Sequence, residues 1–165
     1  MNIKNQELRK KSCCFTGHRP EKLHSSEPAV RKMLEEEIEG AIASGFTRFI
    51  TGMAKGVDIW AAEIVLSRKK ENPALSLVCA LPFPSPEKSW SLSWKKAYEK
   101  IIQNADEVET LSNSYSTWAY IRRDRWMVDN SSRVIAVYEG EPGGTEETIA
   151  YAIENEIPVF YCENR

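Results

Sequence analysis

The sequence predicts an α/β fold of three layers, a mainly parallel sheet flanked by helices on both faces. Two observations carry that prediction. Short β-rich apolar runs alternate regularly with stretches at helical spacing, and glycine or proline stands at the junctions. A third sets the scale: 165 residues, 42% hydrophobic and 28% charged, suit one compact domain.

Taken in order, a strand is expected over 12–16, ending at Gly17. Val30, Met33, Leu34, Ile38, Ala41 and Ile42 then recur at three-and-four spacing, with Pro28 suited to a first helical turn and Gly45 to a stop. A strand follows over 46–51, a helix over 56–70 with Ile59, Ala62, Val65 and Leu66 on one face, and a strand over 75–81. Three prolines and several serines make 82–93 a loop. Beyond it the pattern predicts a helix over 94–104, a short strand over 107–111 and a helix over 118–130. A strand over 133–138, a helix over 145–154 and a last strand over 157–162 complete the chain.

Composition excludes several function classes. Lys plus Arg number 22 and Asp plus Glu 24, a formal net charge of −2, so nucleic acid is not an expected partner. Lys4, Arg9, Lys10 and Lys11 make 1–11 a flexible basic tail, with 12–165 as the single domain. Cys13 and Cys14 are adjacent, Cys79 and Cys162 lie in strand-like runs, and no CxxC pair occurs, which disfavours a disulfide framework or a zinc site. His18 and His24 form no metal constellation, and no metal is assigned. With no signal-like segment and no apolar run near 20 residues, a cytoplasmic protein without membrane attachment is expected.

Ligands of open α/β sheets bind beyond the carboxyl ends of the strands. Three loops there are unusual: Thr16-Gly17-His18-Arg19-Pro20, Thr51-Gly52-Met53-Ala54-Lys55-Gly56-Val57-Asp58, and Glu141-Pro142-Gly143-Gly144-Thr145-Glu146-Glu147. They hold five of the eight glycines. Glycine lets backbone approach a ligand, and a helix starting directly after such a loop aims free N–H groups at the same space. Phosphate is the natural guest. Neither GxGxxG nor the Walker pattern is present, which disfavours a hydride-transferring dehydrogenase and an ordinary ATPase. Arg19, Lys55 and Arg123 are the expected phosphate partners. Met127 lies one turn beyond Arg123 and turns it inward, whereas Arg122 and Arg125 face solvent. Asp58 suits a ribose hydroxyl or a helix cap, and His18 suits a ligand contact or a loop brace. Trp90, Trp94 and Trp118 are candidates to stack on a base, Trp60 and Trp126 to pack in the core or an interface.

These motifs resemble the DUF1273 (YpsA-like) family of the SLOG superfamily, which also includes the DprA/Smf proteins and the LOG phosphoribohydrolases. Phe15-Thr16-Gly17-His18-Arg19-Pro20, the 51–58 loop followed by Trp60-Ala61-Ala62-Glu63, and Leu81-Pro82-Phe83 carry the likeness. Trp94, Arg123-Asp124, Met127-Val128-Asp129 and Gly143-Gly144 extend it. The resemblance implies a Rossmann-like fold and a small-molecule partner, a bound nucleotide or ADP-ribose derivative. It implies ligand contacts at Thr16, Gly17, His18, Arg19, Gly52, Met53, Ala54, Lys55, Gly56, Asp58, Trp94, Arg123, Gly143, Gly144 and Thr145. Likeness to the LOG enzymes implies an alternative, N-glycosidic hydrolysis of nucleoside 5′-monophosphates. There Arg123 would hold the phosphate and Glu147 would activate water or stabilise the sugar cation. Asp124 stands where those enzymes have lysine, and the glycine loop is shorter than their PGGxGT. Likeness to DprA implies a third class, nucleic-acid binding. Size and aromatic content permit a homodimer with Trp126 or Tyr151 at the seam.

Overall fold

A computed structural model describes residues 2–163, so Met1 of the expected tail and the last two residues of the expected domain lie outside it. Six strands form one sheet: β1 (Ser12–Gly17), β2 (Arg48–Thr51), β3 (Ser76–Leu81), β4 (Glu107–Thr110), β5 (Arg133–Val137) and β6 (Val159–Tyr161). Their order is β4-β3-β2-β1-β5-β6 and every neighbouring pair is parallel. The chain builds outward from β1 to β4, then crosses back to place β5 on the other side of β1. The carboxyl ends of β1 and β5 are therefore the topological switch point.

Among the described residues six α-helices accompany the sheet: α1 (Ile3–Lys10), α2 (Glu27–Ala43), α3 (Val57–Glu71), α4 (Leu92–Asn104), α5 (Thr117–Asp129) and α6 (Gly144–Glu154). Strand alternation assigns their layers. Cys13, Phe15, Phe49, Leu77, Cys79, Ile135 and Val137 face one side and pack with α2, α3 and α4. Cys14, Ile50, Val78, Ala80 and Val134 face the other and pack with Met127 and Val128 of α5 and Ala152 of α6. This is the expected three-layer, Rossmann-like α/β arrangement, its sheet wholly rather than mainly parallel.

Helix α2 buries Val30, Met33, Leu34, Ile38 and Ala41, five of the six positions that the sequence spacing selects, with Ile42 half-buried, and Ser26 caps it by accepting from the Ala29 N–H. The basic segment at the start differs from expectation. It is helical over Ile3–Lys10, capped by the Asn2 side chain, with no buried residue. It is fastened from its carboxyl end, where Ser12 Oγ donates to Leu8 O at 2.6 Å and Ser132 Oγ to Arg9 O at 2.7 Å. Among the described residues no helix is long and apolar enough to cross a membrane.

Candidate functional site

The three glycine-containing loops meet at the switch point around a cleft of about 480 Å³. From the β1 loop come Thr16, Gly17, His18 and Arg19, from the β2 loop Ala54 and Asp58, and from the β5 loop Pro142, Gly144 and Thr145. Helix α5 closes the side with Tyr120, Arg123 and Asp124, and Glu147 of α6 completes it. An annex of about 180 Å³ opens between Gly52, Met53, Lys55, Pro82 and Trp90, and shares Arg19, Ala54, Tyr120 and Arg123 with the cleft.

Close backbone packing makes this convergence achievable. A Cβ on Gly17 would stand 2.5 Å from Val57 Cβ, so α3 rests directly on the end of β1. Gly56 has φ +92°, and a Cβ there would stand 2.9 Å from Pro20, so the first two loops touch as well. The first and third loops are stitched across the cleft mouth. His18 Nε2 accepts from the Glu139 N–H at 3.1 Å, and Ser25 Oγ donates to the Glu139 carboxylate. His24 lies 3.3 Å from Glu141, and Lys22 Nζ donates to Pro142 O at 3.4 Å. His18 is thus a loop brace. It must be neutral at Nε2 to accept that bond, and burial lowers its pKa accordingly.

Arg123 is the centre of the site. It is only 6% exposed, its Nη1 donates to Gly52 O at 2.5 Å and its Nε to Asp124 at 2.7 Å. Its second Nη has no partner among the described residues. Asp58 is buried beside it, and its carboxylate accepts from the Ala54 N–H at 3.2 Å. Burial, the larger influence, pushes Asp58 up to about 6, against the opposing pull of Arg123 and the Ala54 amide. A raised pKa contributes stability that is fully present below the ordinary value and is lost as pH rises through about 6. Keeping Asp58 charged at neutral pH then costs roughly 3 kcal/mol. Asp58→Asn is accordingly expected to be more stable than the parent in urea melts at pH 7.5, with the difference fading towards pH 4. No gain at pH 7.5, or a gain of equal size at both pH values, would refute this.

Several expected site residues are placed differently. Met53 lies at φ +60° and lines only the annex. Its N–H is taken by Thr51 Oγ1 and that of Ala54 by Asp58, so these two loop amides are occupied by the loop's own side chains. Trp94 lines neither chamber and packs on Trp60 at 6.3 Å between ring centres, because α4 begins at Leu92 and turns it onto the core. Trp118 is 56% exposed on α5, against Arg125, while Trp90 lines the annex. Gly143 lies just outside the cleft lining, next to Lys22, as the cap of α6. Sequence reasoning passed over Tyr120, which walls both chambers three residues before Arg123, a spacing that puts both on one helical face. The buried thiols of Cys14 and Cys79 are pushed up to about 12, which leaves them un-ionised and unsuited to nucleophilic chemistry.

A protein-family model described as the YspA SLOG family matches residues 13–157, nearly the whole domain. The chain belongs to this family. A UPF0398 protein of Lysinibacillus sphaericus is 29% identical over 143 residues, covering 82% of this chain and 80% of that protein. The SPbeta prophage-derived protein YoqJ of Bacillus subtilis is 34% identical over 117 residues, covering 64% and 68%. Among solved structures, DNA processing protein A of Helicobacter pylori, described for its single-stranded DNA binding, aligns over 97% of this chain and 68% of its own. Its TM-score is 0.64 at 19% identity. TM1055 aligns over 90% and 72%, with a TM-score of 0.56 at 15% identity. At such identities the two structures show that the fold is shared.

Proposed function

We propose that the protein binds a nucleotide or ADP-ribose-type small molecule in the switch-point cleft, as a sensor or regulatory module. The observation that carries this reading is the convergence of three glycine loops and the half-engaged Arg123 guanidinium on one cavity at the carboxyl edge of the sheet. Its volume falls within the range of small-ligand pockets, about 300–1,000 Å³. Guanidinium and backbone donors suit phosphate, and carboxylates suit sugar hydroxyls. ADP-ribose, NAD or a related nucleotide is expected to raise the melting temperature, and Gly52→Trp to abolish the rise, since even a Cβ there meets Asp58 at 2.9 Å and Arg123 at 3.0 Å. No shift with the parent protein across a broad nucleotide panel would sink the proposal.

One observation favours hydrolysis as a second reading: Glu147 and Arg123 line the same chamber. It requires free base to appear when purified protein is mixed with AMP or CMP. Nucleic acid is the weaker class, because a net charge of −2 supplies no cationic excess for a phosphodiester backbone.

A further inference from the structure

The two chambers differ sharply in charge. The main chamber carries Arg19, Lys22 and Arg123, but also Glu21, Asp58, Asp124 and Glu147. Two of those cations are already engaged, Lys22 with Pro142 O and Arg123 with Asp124. The amino end of α6 opens here, yet Glu146 and Glu147 stand in its first turn and Asp124 lies 4.0 Å from where a Cβ of Gly144 would be. Carboxylates so close offset what the helix dipole offers an anion. The annex is the opposite case. Arg19, Lys55 and Arg123 line it, the last with its Nε on Asp124 and its second Nη unpartnered, and no carboxylate among the described residues lines it, that of Asp58 standing behind Gly52 and Ala54. The Lys55 ammonium stands 6.0 Å from the centre of the Trp90 ring, so the annex has an aromatic wall behind its cation. Its 180 Å³ equals about six waters, room for a phosphate or diphosphate but not for a nucleoside as well.

We propose that the annex is the anion subsite: the ligand's phosphate or diphosphate lies among Arg19, Lys55 and Arg123, and its hydroxyl-bearing remainder occupies the carboxylate-lined main chamber. The placement of the remainder rests on the nucleotide reading above, whereas the anion subsite stands on charge and shape alone. It also sets a direction. The anionic end points toward the 82–90 loop, away from the Gly143-Gly144 turn.

Calorimetric titration of the full chain with sodium pyrophosphate and with ADP-ribose tests both parts. Lys55→Ala and Arg19→Ala change side chains that are not buried, and circular dichroism verifies their folding. Each is expected to weaken both probes at least tenfold. Lys100→Ala, on α4 and lining neither chamber, is expected to leave both affinities unchanged. Should ADP-ribose bind while the Lys55 and Arg19 variants keep its affinity within threefold, the annex is overturned and the nucleotide reading stands. Pyrophosphate binding that depends on Lys55, with no nucleotide bound, upholds the annex and overturns the nucleotide reading. Failure of both probes to bind the parent protein overturns both.

Discussion

Arg123→Met is expected to destabilise the protein by about 3–5 kcal/mol at pH 7.5, the range for removing one partner of a buried ion pair. Methionine nearly fills the space, so the loss is electrostatic rather than a cavity effect. Gly52 O loses its donor, Asp124 loses its Nε contact, and Asp58 remains buried without the cation that holds its pKa down. Asp58 then rises above about 6 and takes a proton more readily, so the deficit shrinks as pH falls towards 5. The double variant with Asp58→Asn is expected to recover a substantial part of the loss. Urea melts of the four proteins at pH 5 and 7.5 form the cycle that checks this. A loss under 1 kcal/mol, or a double variant no better than Arg123→Met alone, would contradict it.

Gly17→Ala is expected to cost about 3 kcal/mol, the upper part of the range for overpacking a tight contact. The new methyl would lie 2.5 Å from Val57 Cβ and 2.5 and 2.6 Å from its two methyl groups. Rotating the valine does not move its Cβ, so α3 must shift away from β1, and the cleft floor with it. Gly40→Ala makes the same chemical change in the last turn of α2, where nothing lies within 4 Å. There alanine is expected to stabilise by about 0.5–1 kcal/mol, the ordinary helical preference over glycine. Thermal melts of the pair read out opposite signs. A shift of the same sign in both would show that the Gly17 contact does not govern the outcome.

The elements were legible where a period was strong. The spacing from Val30 to Ala41 locates the buried face of α2, and Met127 correctly turns Arg123 inward. Trp94, expected at the start of a helix beside the 82–93 loop, lies in the first turn of α4, which begins two residues earlier at Leu92, and there it faces Trp60 rather than the cleft. The basic beginning of the chain reads as tail because α1 has no apolar stripe; its cap at Asn2 and its two carbonyl anchors involve single polar contacts without periodicity. Loop chemistry was harder still. That Thr51 and Asp58 occupy the Met53 and Ala54 amides depends on Met53 at φ +60°, which no residue pattern announces. The brace at His18 needed knowledge that β5 lies beside β1, and strand order is set by the crossover rather than by local sequence.

The stitched mouth of the cleft joins residues 114 to 121 positions apart. Contacts of such separation form late, since a long loop must close before they are made. During synthesis β1 to β4 emerge first, and they carry Arg19, Lys55 and Asp58 without the wall that completes the site. The wall arrives only when β5 inserts beside β1 and draws the 139–142 segment over the mouth. Completion of the main chamber therefore waits for the segment after β5, and a chain stalled before residue 139 has every cation of the cleft and every residue of the annex but lacks the main chamber's last wall.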